Sequence, residues 1–227
     1  MTVAERLPLA VLELADRLGA QSSGPSAVRL SQVGQMRQSA RAPWRTFTAV
    51  QTIDHDRCAF DWKARSGPAG VIAIRDALIG GAGRLTVRAF GVVPLLARVA
   101  SSEALTRGEL IRYLAELAWV PDAILRNGDL SWKASGPGNL SVSAGTGPTE
   151  AEVFLTLDAE GRISEAFSPD RGALNDGVSV PTPWRGAFSD YRLHKGRWLP
   201  FAGEVAWGAG PDAWTYWQGR LIDWIQD

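Results

Sequence analysis

This 227-residue chain has little of the residue types that most often carry covalent, metal or phosphate chemistry: one cysteine, two histidines and three lysines. Cys58 alone excludes an internal disulfide, a cysteine-ligated zinc site and a CxxC redox pair. It opens the apolar run Cys58-Ala59-Phe60, a context that suits a small buried hydrophobe better than a nucleophile. His55 and His194 stand far apart without HExxH or HxH spacing, so no metal site is expected. Net charge is lacking too. With 24 Lys+Arg against 24 Asp+Glu and a pI near 6.8, composition offers no electrostatic case for nucleic acid or for an anionic membrane surface.

Long apolar runs are also absent. No window approaches the roughly 18 uncharged apolar residues of a transmembrane helix. The opening Met1-Thr2-Val3-Ala4-Glu5-Arg6-Leu7-Pro8 puts acid and proline where a secretory signal needs apolar residues. On this reading the expected compartment is the cytoplasm. Gly80-Gly81-Ala82-Gly83 lacks a following GK[ST] and reads as a hairpin turn, not a phosphate loop. No Gly-x-Ser-x-Gly elbow is present, and Ser141 and Ser143 lie in a strand-like run with no histidine nearby, which leaves a serine triad without support. No cofactor is expected.

What is present describes a folded chain: 45% hydrophobic residues, 21% charged, 24 glycines and ten tryptophans. Leu9, Leu12, Leu14, Ala15 and Leu18 recur at helical spacing before Gly19, predicting a short amphipathic helix. It is followed by the linker-like Gln21-Ser22-Ser23-Gly24-Pro25-Ser26, so residues 1–24 read as helix plus linker and 25–227 as one β-rich domain. From Val28 the period becomes that of strands, with turns about every 10–14 residues, which favours antiparallel meanders over βαβ crossovers. Asp158-Ala159-Glu160-Gly161 reads as one hairpin turn. One clear helix interrupts the strands, running through Glu109 to Trp119 with Ser102 or Thr106 as its cap. The fold class expected is β-rich α+β: one strongly curved antiparallel sheet or open barrel of about ten to twelve strands, with two helices, one packed against the concave face.

The candidate site centres on that helix. The 100° step puts Leu110, Leu114 and Leu117 on one stripe and Glu109, Arg112, Glu116 and Trp119 on the other, with Tyr113 at the border. A tryptophan on the polar side indicates that this side is covered as well. Arg112 and Glu116 either form an i,i+4 salt bridge beneath a packed Trp119 or point into a cavity. In the second case Arg112 anchors an anionic or carbonyl group and Glu116 serves as general base. Glu204, which shares a strand face with Ala202 and Ala206, is a second candidate acid/base. Asp76 alternates with Arg75, so one of the two points inward. Trp62, Trp119, Trp132 and Trp207 are candidate walls of an apolar pocket. Alternation along the last strand places Trp214, Tyr216 and Trp224 on one face with Gln218 and Arg220.

Two functions are open at this point. One is binding of a small apolar or amphipathic molecule, with Arg112, Glu116 and Tyr113 as polar contacts. The other is a cofactor-independent lyase, isomerase or hydrolase using Glu116 or Glu204 as general acid/base, with Tyr113 or Arg112 polarising a carbonyl. A purely structural or interaction domain would show an exposed apolar patch in place of an enclosed site.

Several segments resemble a bacterial family known only as a domain of unknown function. They are Arg29-Leu30-Ser31-Gln32-Val33-Gly34, Phe60-Asp61-Trp62-Lys63-Ala64-Arg65, Gly81-Ala82-Gly83 and Glu109 through Pro121, followed by Pro183-Trp184-Arg185-Gly186 and Gly203-Glu204-Val205-Ala206-Trp207. Arg112-Tyr113-Leu114-Ala115-Glu116 is the most specific part. Val120 stands where an aromatic is usual, and Asp122-Ala123-Ile124 replaces Thr-Ala-Leu. Members often carry a membrane or export segment, which is not expected here. The resemblance implies no reaction, cofactor or substrate. It implies a fold similar to the curved half-barrel of periplasmic lipoprotein carriers, in which helices plug a concave antiparallel sheet.

Overall fold

The computed structural model describes residue 3 and residues 6–90, 93–94, 102–175 and 178–227. In β2 (Arg45–Asp54) and β3 (Phe60–Ser66) the residues alternate cleanly between buried and exposed. In β2, Phe47, Ala49, Gln51 and Ile53 are buried while Thr46, Thr48, Val50 and Thr52 face out. β3 buries Phe60, Trp62, Ala64 and Ser66. Such a pattern is that of a sheet covered on one face only.

Among the described residues thirteen strands make one antiparallel sheet, curved but not closed. The first arm holds β1 (Ala27–Met36), β2, β3, β4 (Ile72–Ile79), β5 (Ala82–Ala89) and the two-residue β6 (Val93–Pro94). The second holds β7 (Ser131–Ala134), β8 (Asn139–Ala144), β9 (Ala151–Leu157), β10 (Ile163–Asn175), β11 (Val178–His194), β12 (Arg197–Trp207) and β13 (Trp214–Gln226). Each arm is a meander, and the two join where β1 pairs with β13, leaving β6 and β7 as edges. Gly80 and Gly81, with φ of 60° and 72°, make the expected hairpin between β4 and β5.

The expected helices are α1 (Leu9–Leu18) and α2 (Glu103–Ala115). Ser102 is the cap of α2, its hydroxyl accepting from the Leu105 N–H at 3.1 Å. Thr106, the other cap candidate, instead accepts from the Gly83 N–H and ties the helix to β5. A 3₁₀ turn over Glu116–Trp119 and a six-residue α3 (Pro121–Arg126) continue the helical segment. α2 lies in the concavity, packed on β4 and β5 on one side and on β8, β9 and β10 on the other. Both of its faces are therefore covered, and Glu109, Leu110, Ile111, Tyr113 and Leu114 are all buried.

α1 packs on α3 and β12, burying Val11, Leu14, Ala15 and Leu18. The lock here is Asp122, in the first turn of α3. It takes Arg197 at both oxygens (2.7 and 2.9 Å) together with the Gln21 N–H and the Gln226 amide. One buried carboxylate thus fastens α3 to β12, β13 and the segment before β1. Among the described residues no helix is long and apolar enough to cross a membrane.

Candidate functional site

The concavity beside α2 holds a cavity of about 570 Å³. Its walls come from Trp62 of β3, Ile72 and Ile74 of β4, Leu85 and Val87 of β5, Trp119, Trp184 and Phe188 of β11, and Trp217 of β13. The aromatics brace one another. Trp119 meets Phe188 edge-on at 5.1 Å and Trp217 at 6.4 Å, and Phe47 stacks on Trp217 at 5.7 Å. Trp119 is pinned at two points: its indole N–H donates to the Pro200 carbonyl at 2.8 Å, and its own carbonyl accepts from the Trp224 indole at 2.9 Å.

Room for these rings comes from a row of glycines. Gly34, Gly219 and Gly203 stand opposite one another across β1, β13 and β12. A Cβ at Gly219 would lie 2.2 Å from Trp217, and one at Gly203 would lie 3.2 Å from Trp119. Only a strand without side chains at this level leaves space for indoles to lie against it.

At the inner end Arg112 reaches two carboxylates, donating through Nη1 to Asp76 at 2.6 Å and through Nε to Glu116 at 2.8 Å. The second Glu116 oxygen accepts from the Gln51 amide. The guanidinium lies over Phe60 (4.8 Å) and Trp62 (5.2 Å), and the Trp62 indole donates to Gln32. Burial works to lower the Arg112 pKa, but Glu116, Asp76 and Glu109 outweigh it and raise it, so the guanidinium stays charged. Glu109 behaves differently. Burial first, and the Asp76 charge second, push its carboxyl well above the usual range against the pull of Arg171 and Arg112.

The salt bridge and the cavity are thus both present: Arg112 and Glu116 pair with each other and border the cavity, as do Asp76, Trp62 and Trp119. Of the Arg75/Asp76 pair, Asp76 is the inward one, and Arg75 binds Asp61 on the outer face. Other candidates lie elsewhere. The Tyr113 hydroxyl donates to the Asp54 carbonyl and accepts from Asn127, away from the cavity lining. A border azimuth on a helix buried all round can turn either way. Trp132 is buried in β7 and is not among the lining residues. Trp207 also stands outside the lining, stacked on Tyr216. Glu204 borders the cavity, but Gly203 on one side of it faces Trp119, so alternation sends the Glu204 side chain to the convex face, where its β13 partner is Gln218.

Sequence reasoning missed Trp184, Tyr216, Trp217 and Arg171. Tyr216 and Trp217 are hidden by irregular register along β13, whereas Trp184 lies on β11, which pairs with β12 in unbroken register. One bulge falls between Val205 and Ala206 where β12 pairs with β13, and another where β1 pairs with β13 near Leu221. Each shifts the alternation by one residue. Tyr216 and Trp217 both reach the cavity, and Trp224 turns inward, fully buried, while Gln218 and Arg220 face out. Cys58 is partly buried beside Asn127 (3.5 Å), and burial pushes its thiol up to about 12, so it is no thiolate at neutral pH.

A family model described as a family of unknown function (DUF6544) matches residues 2–219. The chain belongs to this family. No curated protein sequence matches this DUF6544 chain. Among solved structures, a LolA superfamily protein from Nitrosomonas europaea is similar at a TM-score of 0.52 and 10% identity, covering 100% of this chain and 94% of that one. A putative outer membrane lipoprotein-sorting protein domain from Vibrio parahaemolyticus aligns at a TM-score of 0.49 and 11% identity, over 99% and 91%. The first likeness shows a shared fold, in line with the half-barrel that the sequence resemblance implies.

Proposed function

We propose that this DUF6544 chain binds one small apolar or amphipathic molecule in the cavity between α2 and the concave face of the sheet. The observation that carries the reading is the lining: a space of about 570 Å³, inside the range of roughly 300–1,000 Å³ typical of small-molecule sites, with aromatic and aliphatic walls and a few fixed polar groups. Arg112, Asp76 and Glu116 form a fixed polar group at its inner end, and Trp62, Trp119, Trp184 and Trp217 supply the walls. The cytoplasm remains the compartment of this proposal, and cell fractionation checks it.

The enzymatic alternative draws less from the geometry. Both Glu116 oxygens already accept hydrogen bonds, one from Arg112 and one from Gln51, which ties this carboxylate to structural partners, and Glu204 turns to the convex face. Binding is tested by comparing native and denaturing mass spectra for a mass lost on unfolding, and by the fluorescence of the uncharged apolar probe N-phenylnaphthylamine. Val87→Trp, which fills the cavity from β5, is expected to abolish probe binding while the circular dichroism spectrum stays unchanged. Full probe binding by that folded variant would remove the cavity as the site.

A further inference from the structure

The charges around the cavity fall into two sets. The inner set is closed on itself: Arg112 is held by Asp76 at 2.6 Å and Glu116 at 2.8 Å. An anion brought against it would have to displace carboxylates already buried there, so the inner end is a poor anchor for negative charge.

The outer set is open. Arg37 is fixed by neutral acceptors, with Nε on the Thr215 carbonyl and Nη1 on the Ala40 carbonyl, both at 2.7 Å. Its guanidinium also lies over Trp44 at 4.6 Å. These contacts hold the fork in place without cancelling its charge. Arg45, opposite Met36 at the β1–β2 end, is exposed and in no ion pair among the described residues. Arg171 lies over Trp184 at 4.7 Å, and its carboxyl partner Glu109 stands at 3.9 Å, much farther than the partners of Arg112. All three arginines line the cavity.

The surrounding chain reinforces this sign. Segments 36–48, 64–75 and 84–90, which carry the mouth on the first arm, contain no acidic residue, and Arg41 between β1 and β2 is exposed. The acids at this end, Glu150, Asp170 and Asp212, sit on the other arm, and Arg107 takes up Asp170 at 2.9 Å. A basic first arm beside low-dielectric walls concentrates negative charge on that side of the mouth.

We propose that the cavity takes an anionic amphiphile tail first, its apolar chain against Trp62, Trp119 and Trp217 and its carboxylate or phosphate head held at the mouth by Arg37, Arg45 and Arg171. This rests on the reading of the cavity as a binding site, and it reverses the orientation that Arg112 suggested in the sequence.

Displacement of N-phenylnaphthylamine by hexadecanoate and by hexadecanol, which share a chain and differ in the head, tests it. Hexadecanoate is expected to displace the probe at about tenfold lower concentration than the alcohol in low salt, with the gap narrowing in high salt. In the double variant Arg37→Gln/Arg45→Gln the ratio of acid to alcohol affinity falls toward one. Equal displacement by acid and alcohol in the native protein would overturn the proposal and leave the cavity reading standing, whereas no probe binding at all would overturn both. An acid preference that survives the double variant and disappears in Arg112→Gln would put the head inside and overturn the orientation. Flotation with phosphatidylglycerol vesicles separates the sources. Uptake from solution without vesicle binding identifies a free amphiphile, co-flotation lost in the double variant identifies a lipid in its bilayer, and both support the proposal.

Discussion

Asp76 Oδ1 and Glu109 Oε2 are both buried without a hydrogen-bond partner, and burial first, with the Asp76 charge second, raises the Glu109 pKa. The folded pKa of Glu109 lies above its unfolded value of about 4.3, so the stability it contributes is complete below that pH and is lost as pH rises through the folded value. Glu109→Gln keeps an N–H donor at every pH, and its urea midpoint is expected to gain on the native protein between about pH 5 and pH 8. His55 runs the other way. Burial lowers its pKa, with Nδ1 at 2.9 Å from the Pro25 carbonyl and Nε2 unpartnered. Its contribution is present above the unfolded value of about 6.5 and is lost as pH falls toward the folded one, so His55→Gln should flatten the acid side of the stability profile. The helix step was enough to bring Arg112, Glu116 and Trp119 together from sequence. It gave no sign that the Glu109 pKa would be raised, because that depends on burial and on Asp76, 33 positions away on β4.

The strands were legible because one-sided cover writes itself as alternation, as in β2. The cavity was less so, since the β13 part of its lining, Tyr216 and Trp217, is set by bulges on that strand, and an extra residue in a strand leaves no mark in composition or spacing. The glycine row was equally silent until register placed Gly34, Gly219 and Gly203 side by side. Gly219→Ala is expected to force Trp217 off its seat, costing about 1–3 kcal/mol in chemical denaturation and shifting the near-ultraviolet circular dichroism of the indoles. The lock at α3 is a stronger constraint. Asp122→Ala strands Arg197, which is buried with it, and a loss of about 3–5 kcal/mol is expected, measured as a fall in the urea midpoint. Double substitution by apolar residues of similar volume should restore much of it.

At the scale of the molecule a formal charge of zero concealed a segregated one, because composition sums over both arms while a ligand meets only the mouth. Topology adds a constraint of another kind. Val28 pairs with Gln226 and Met36 with Trp217 at the middle of the sheet, so the strands most distant in sequence form its central seam and the sheet edges come from the middle of the chain. Loops of that span are costly to close and slow to form. During synthesis the first arm waits with β1 as an open edge, exposing a row of unpaired amides, until β13 leaves the ribosome. A nascent chain arrested before Trp214 should therefore be digested rapidly by protease and bind chaperones, while one arrested past Asp227 with a linker long enough to clear the tunnel should resist. Maturation would then be a single late event, with neither arm able to shelter the tryptophans alone.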